Sequence, residues 1–459
     1  MKNIFWIMAG VVFAMTLVAL GWILGRHHDS DYNPYQVIKG YEGSRHAFLV
    51  KSAEVSVKMT DLAIEALKNK DIKKAVEDCK TAIDIFPIDA KPYILLTKLY
   101  LMTGQERNMY DVLTLAGNSY PNFDNIVAII DDENLDKIPL EVPQDNVYLA
   151  NFSEDKSTAI SFMFDDGEAN VYHALPTFEK YGYRATIPVV AAFVADKSND
   201  PFWGSWAEWR DAASRGFEIA NHSMFHRNSK DLHGSDFDVA IDQARDVIAK
   251  NTGASVTSYV FPHDSYTDEA VQRALMTHKA IRTPAFLHAI YNREVDVVIG
   301  GPHVSVETGE RLVDIGIKRN LWLIAKCHGV TDRKTMRSFK SITPEFLESY
   351  LNYIHSKSDQ VWVDTFYHVF EYMSERAHTT IDTKSFTDHS MDFILHSDQN
   401  QATMARPLTV IVKMPAGVKI ESAQSSGGHR LKAWACAQDK VCVDVDAYDE
   451  NIHLQWSHP

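Results

Sequence analysis

Three short clusters in the middle of this chain carry residue types that can perform hydrolysis together. The first is Phe164-Asp165-Asp166-Gly167, which follows an apolar run. Adjacent carboxylates project in different directions, so one can hold a metal ion while the other faces a substrate. By itself, Asp-Asp-Gly is also a common turn. The second cluster is Asn221-His222-Ser223-Met224-Phe225-His226. Histidines at i and i+4 share one face of a helical turn and can hold the same cation, although a chain with 20 histidines produces such pairs by chance. Together, Asp166, His222 and His226 would make a two-histidine, one-carboxylate site with open positions for water, as a catalytic zinc site requires. The third cluster is Leu323-Ile324-Ala325-Lys326-Cys327-His328-Gly329. There, His328 at the end of an apolar strand is a candidate general acid, or a capped histidine of the core.

The surrounding pattern predicts elements able to position these groups. Strands are expected at 160–164, 185–194, 217–220, 258–261, 321–326 and 360–364, with helices at 171–180, 206–215, 236–250 and 268–277. Strand–helix alternation of this kind argues for an α/β fold, a parallel barrel-like sheet wrapped by helices. Each cluster then falls at the C-terminal end of a strand, where such folds place their active sites. Trp203, Trp206 and Trp209 either stack on sugar faces or, by their spacing, bury one side of a helix. Upstream, residues 53–130 read as helical, with Ala82 and Ala116, and Pro87 and Pro121, about 34 residues apart. Small residues at Ala63, Ala75 and Ala82 let paired helices approach, and proline closes the second helix. The reading is a tetratricopeptide-like region able to recruit a protein partner, with a plain helical spacer as the alternative. Downstream, short β-branched segments at 408–413, 431–436, 441–445 and 452–456 predict a small β-sandwich.

Bulk properties narrow the partners. The chain has 459 residues and a net charge of −15, which leaves no basic footprint for nucleic acid. Residues 4–24 form an uncharged run between Lys2 and Arg26, long enough at about 1.5 Å per residue to cross a hydrocarbon core of about 30 Å. No Ala-x-Ala cleavage pattern follows it. The expectation is a single-pass anchor in the inner or cytoplasmic membrane, with the catalytic domain in the periplasm or outside the cell. Cys79, Cys327, Cys436 and Cys442 fit no zinc-ribbon spacing. Cys436 and Cys442 form either a disulfide or two buried small residues on neighbouring strands. The expected layout is an anchor at 1–28, a linker at 29–52, helices at 53–130, a linker at 131–157, a catalytic domain at 158–380 and a sandwich at 385–459.

In their order along the chain, the clusters resemble the polysaccharide deacetylase family, the NodB-type domain of carbohydrate esterase family four, over about residues 158–377. Phe164-Asp165-Asp166-Gly167 looks like that family's Thr-Phe-Asp-Asp-Gly motif, with Met163 in place of Thr. His222-Ser223-x-x-His226 is similar to its His-Ser/Thr-x-x-His motif, and Tyr259-Val260-Phe261-Pro262-His263-Asp264 to its third motif. The resemblance implies a distorted (β/α) barrel in which Asp166, His222 and His226 bind a divalent metal, zinc first among them. It implies Asp165 as catalytic base, His328 as acid, and Pro262 and His263 as substrate-binding residues. The implied activity is removal of acetyl groups, N-acetyl above all, from an acetylated polysaccharide at the cell envelope. The third motif departs from the family, with Val260 and His263 where an arginine and an aromatic residue are common. Arg282 or Arg293 would have to replace the guanidinium, and Asp364 is a candidate to tune His328. A non-catalytic carbohydrate-binding or assembly protein, and an O-acetyl esterase acting on xylan-like polymers, are the competing readings.

Overall fold

The computed structural model describes residues 45–119, 123–130, 135, 138, 140, 143, 145–283, 291, 293–301, 304–332, 338–398, 406–446 and 451–458. They form two compact units, one drawn from 1–139 and 303–311, the other from 140–302 and 312–459. In the first unit, helices Arg45–Lys68, Ile72–Ile85, Ala90–Met102, Glu106–Ser119 and Phe123–Ile130 follow one another. Asp71 and Asp89 start two of them by accepting from the backbone N–H groups of Lys74 and Lys91, which satisfies donors the helix itself cannot. Ala63, Ala75, Ala82 and Ala116 are all fully buried, as close helix packing needs. Pro87 follows the second helix, and its carbonyl accepts the Tyr93 hydroxyl at 3.0 Å. Pro121 lies outside the described residues.

The expected membrane location is corrected here. Among the described residues no helix is long and apolar enough to cross a membrane. Arg45–Lys68 has the length but carries Lys51, Glu54, Lys58, Asp61 and Glu65 within it, and charges in a spanning segment are costly. The apolar run at 4–24 lies outside the described residues.

The second unit opens with strand β1 (Val147–Leu149), followed by β2 (Thr158–Phe164), β3 (Thr186–Val189), β4 (Glu218–Asn221), β5 (Ser258–Val260), β6 (Ala280–Arg282), β7 (Glu294–Val298), β8 (Trp322–Cys327) and β9 (Val361–Val363). From β2 onward these make one parallel sheet in the order β6-β5-β4-β3-β2-β8-β7, with β9 also on β2. This is a curled parallel half-barrel, the α/β arrangement that the strand–helix alternation predicts. Every residue of β2 and β8 is buried, which is why both read as largely apolar runs, broken by Ser161 and Lys326, rather than as alternating ones. Register brings the clusters together. Phe164 pairs with Cys327, so Asp165 and His328 leave the sheet side by side. Val189 pairs with Asn221 and Asn221 with Tyr259, which sets His222 and the turn after β5 at the same rim. Trp206 and Trp209 are buried on helix Trp206–Ser214, the packing role among the two expected.

The chain ends in β10 (Thr379–Phe386), β11 (Ser390–Ser397), β12 (Leu408–Lys413), β13 (Lys419–Ser425), β14 (Ala433–Ala437), β15 (Lys440–Val445) and β16 (Asn451–Ser457). They form two antiparallel sheets, β1-β12-β15-β14 and β10-β11-β16-β13. Strand β1 falls in the stretch expected to be a linker; three residues are too short to show a period. Helix Phe366–Ala377 joins this region to the barrel. Its Phe366, Val369, Phe370, Tyr372 and Met373 share one hydrophobic cluster with Met163 and Trp322 of the half-barrel and with Phe393, Val410, Val443 and Leu454 of both antiparallel sheets. Cys436 and Cys442 form a disulfide between β14 and β15. Phe393 is fully buried in the shared cluster, so Phe393→Ala is expected to cost about 3–5 kcal/mol, measured by denaturant titration.

Candidate functional site

The turn after β2 separates the two aspartates. Asp166 has φ 76°, a left-handed conformation that aspartate tolerates better than most residues. Gly167 follows with φ 80°, where a side chain would be strained. This twist turns Asp166 toward the histidines, while Asp165 faces back to Arg282.

His222 follows β4, and its Nδ1–H donates to the Val260 carbonyl at 2.8 Å. That bond fixes the tautomer and leaves the Nε2 lone pair able to bind a cation. His226 does not sit on a helical turn as the spacing suggested. Ser223 (φ 71°) and His226 (φ 55°) are left-handed, because side chains have captured the backbone. The Ser223 N–H donates to Asn221 Oδ1, and the His226 N–H to Ser223 Oγ, both at 2.9 Å. Such local bonds compete with helix. The loop nevertheless brings His226 Nε2 to 3.2 Å from Asp166 Oδ1, with His222 Nε2 at 3.3 Å from the same oxygen.

Asp166 Oδ1 is buried and has no hydrogen-bond partner despite these two neighbours. Three lone-pair atoms therefore converge on one space, an arrangement that a cation satisfies and a hydrogen bond does not. The three residues fit a divalent metal, with ligand atoms all within 4.8 Å of one another. Burial pushes the Asp166 carboxyl up, and the His222 and His226 imidazoles pull it well below its ordinary value. Asp155, Cys436 and Cys442 also cluster, but the disulfide has consumed both thiols.

His328 emerges from β8 with Nε2 4.0 Å from Asp166 Oδ2. The Phe339 ring meets it edge-on at 5.0 Å. Among the described residues its Nδ1 has no hydrogen-bond partner. Asp364 pairs instead with His368 at 2.7 Å and Arg406 at 3.2 Å. Burial lowers the His328 pKa below its usual value, against the opposing pull of Asp166 and Asp165.

Asp165 is held by Arg282, the last residue of β6. Nη1 and Nη2 donate to the two carboxylate oxygens at 2.9 and 2.7 Å, the two-pronged geometry specific to arginine. Burial raises the Asp165 pKa, but the guanidinium outweighs it and the net shift is downward. Arg282 thus supplies Asp165 with a guanidinium, which Val260 in the third motif cannot do. Its Nη2 also donates to Asp264 at 3.1 Å, and Lys326 binds Asp264 at 2.8 Å and Asp296 at 3.2 Å. Sequence reasoning did not assign Asp264, Asp296 or Lys326. Their signal was charge inside buried strands, at Asp296 in β7 and Lys326 in β8, since a buried charge must find a partner.

Pro262 is buried at the start of the turn Pro262–Asp264. His263 Nε2–H donates to the His226 carbonyl at 3.1 Å, and the two rings lie 4.4 Å apart. The Asp264 N–H is committed to the Phe261 carbonyl at 3.2 Å. On the other side of His226, Phe193 packs 6.0 Å away and carries the half-buried Trp203 at 4.8 Å.

A sequence profile of the polysaccharide deacetylase family matches residues 153–278, a span that includes Asp165, Asp166, His222, His226, Pro262 and His263. No curated protein matches the sequence. Similar solved structures include the Xyl-CE4 domain of a multidomain xylanase from the hindgut metagenome of Trinervitermes trinervoides, 15% identical, covering 47% of this chain and 90% of that one at a TM-score of 0.33. Another is peptidoglycan deacetylase PdaC from Bacillus subtilis, 15% identical, covering 48% of this chain and 92% of that one at 0.32. A third is a mutant of BA3943, described as a CE4 family pseudoenzyme with restored enzymatic activity, 16% identical, covering 51% and 72% at 0.33. Through residues 153–278, the chain carries a domain of the polysaccharide deacetylase family.

Proposed function

We propose that this domain hydrolyses acetyl groups, N-acetyl above all, from an acetylated polysaccharide in a metal-dependent reaction. The observation that carries the reading is Asp166 Oδ1, buried and without a hydrogen-bond partner between two imidazole nitrogens. A divalent metal held by Asp166, His222 and His226, zinc by its preference for this donor set, supplies a Lewis acid that polarises a carbonyl and makes water acidic near neutral pH. Asp165 serves as base. Its bond to Arg282 keeps it ionised at neutral pH, ready to accept the proton of the attacking water. His328 serves as acid from across Asp166, and its lowered pKa makes the imidazolium a stronger donor to the departing amine. Pro262 and His263 wall the cleft beside His226, and Phe193, Trp203 and Phe339 offer apolar ring faces to a sugar.

The test is acetate release from chitin oligomers, poly-N-acetylglucosamine, peptidoglycan and acetylated xylan. Release from at least one amide-linked polymer is expected, abolished by a chelator and restored by added Zn2+. Absence of release from all of them by the metal-loaded protein would leave a carbohydrate-binding role, and release from xylan alone would make the protein an ester hydrolase.

A further inference from the structure

The turn Pro262–Asp264 has a feature that needs support. His263 and Asp264 are consecutive non-glycine residues with φ of 60° and 51°, a conformation that persists only where surrounding contacts impose it. The contacts come from across the half-barrel. Lys326 projects from β8, while the turn follows β5, and strands β4, β3 and β2 stand between those two in the sheet. Lys326 Nζ nevertheless reaches Asp264 Oδ2 at 2.8 Å, and Arg282 Nη2 reaches Asp264 Oδ1 at 3.1 Å. Both cations are almost wholly buried, with side chains 4% and 2% exposed. The pinned turn in turn presents His263 to the His226 carbonyl. Ser223 Oγ holds the N–H of the same residue, so side chains secure both of His226's own backbone polar groups in a loop that lacks helical hydrogen bonds.

We propose that Lys326 is a positioning residue: by pinning Asp264 it holds the Pro262–Asp264 turn, and His263 with it, against the backbone of His226. The inference rests on the reading of His226 as a metal ligand. It makes His263 a prop for that ligand, and it explains a lysine in a strand otherwise made of apolar residues.

Electrostatics alone predicts the opposite sign. Removing a cation near the site lowers repulsion toward a metal ion and would tighten its binding, so weaker binding can come only from the lost prop. The experiment measures Zn2+ affinity of the full chain by competition with a chromogenic chelator at pH 8. Lys326→Met and His263→Ala are each expected to weaken Zn2+ binding about tenfold, as outer partners of metal ligands do. The double variant should be no weaker than either single one, because both changes break one line of contacts. Saturating Zn2+ should restore turnover to the Lys326→Met protein, whereas the His263→Ala protein is read by its Zn2+ affinity alone. His263 is exposed, so this variant reports even if Lys326→Met fails to fold. Unchanged or tighter Zn2+ binding in either folded variant overturns the proposal, as do losses that multiply in the double variant. Asp166→Ala is the reference: if it binds Zn2+ like the parent, the metal-site reading fails. If it loses Zn2+ while His263→Ala does not, the present inference alone fails.

Discussion

Asp165→Asn is expected to keep the metal and to lose roughly 10²–10⁴-fold in turnover, the range that general-base catalysis contributes. Asparagine is nearly isosteric and still presents an oxygen to Arg282, so the turn after β2 should survive. What disappears is a carboxylate able to take a proton. Arg282 would keep Asp264 at 3.1 Å and Asp296 at 3.8 Å, so its charge is not stranded and a fall in rate would not report unfolding. The measurement pairs acetate release with metal content of the same preparation. Parental rates with full metal content would remove Asp165 from the role of base.

The second large effect belongs to Asp166. Asp166→Ala should abolish both metal retention and turnover, a loss beyond the roughly 10–100-fold that changes to outer partners bring. Two imidazoles would remain without the charged ligand that offsets a divalent cation. Alanine is also strained at φ 76°, so Asp166→Asn is the control, since asparagine accepts the left-handed conformation. Metal loss in both variants assigns the effect to the carboxylate; loss only in the alanine variant assigns it to the backbone. Metal content after dialysis is the readout.

What sequence made legible here follows from where the chemistry is local. Asp165 with Asp166, and His222 with His226, are read together because each pair lies on one short turn beyond one strand. The apolar runs of β2 and β8 gave the parallel sheet, and with it the rim where the clusters meet. Arg282 stands 117 residues from Asp165, and only the strand order brings them together; from sequence it was one of two candidates. Lys326 lay inside a quoted motif and passed for part of an apolar strand. The helical turn expected for 222–226 failed because Asn221 and Ser223 offer side-chain acceptors that outcompete helical bonds. Strands β10 and β13 escaped notice because Thr379–Phe386 and Lys419–Ser425 are largely polar and partly exposed.

Strand β1 precedes the barrel in sequence yet lies at the edge of an antiparallel sheet whose other strands come after the barrel. In topological terms the half-barrel is an insertion, a long excursion between the first strand of a sandwich and the rest of it. Both ends of the barrel are thereby tied into one β-structure, through β1 on one side and helix Phe366–Ala377 on the other. A protein cut after residue 378 would leave β1 without its partner β12 and expose the apolar face of that helix. The C-terminal sheets are thus no detachable module, and the barrel cannot be transplanted without them.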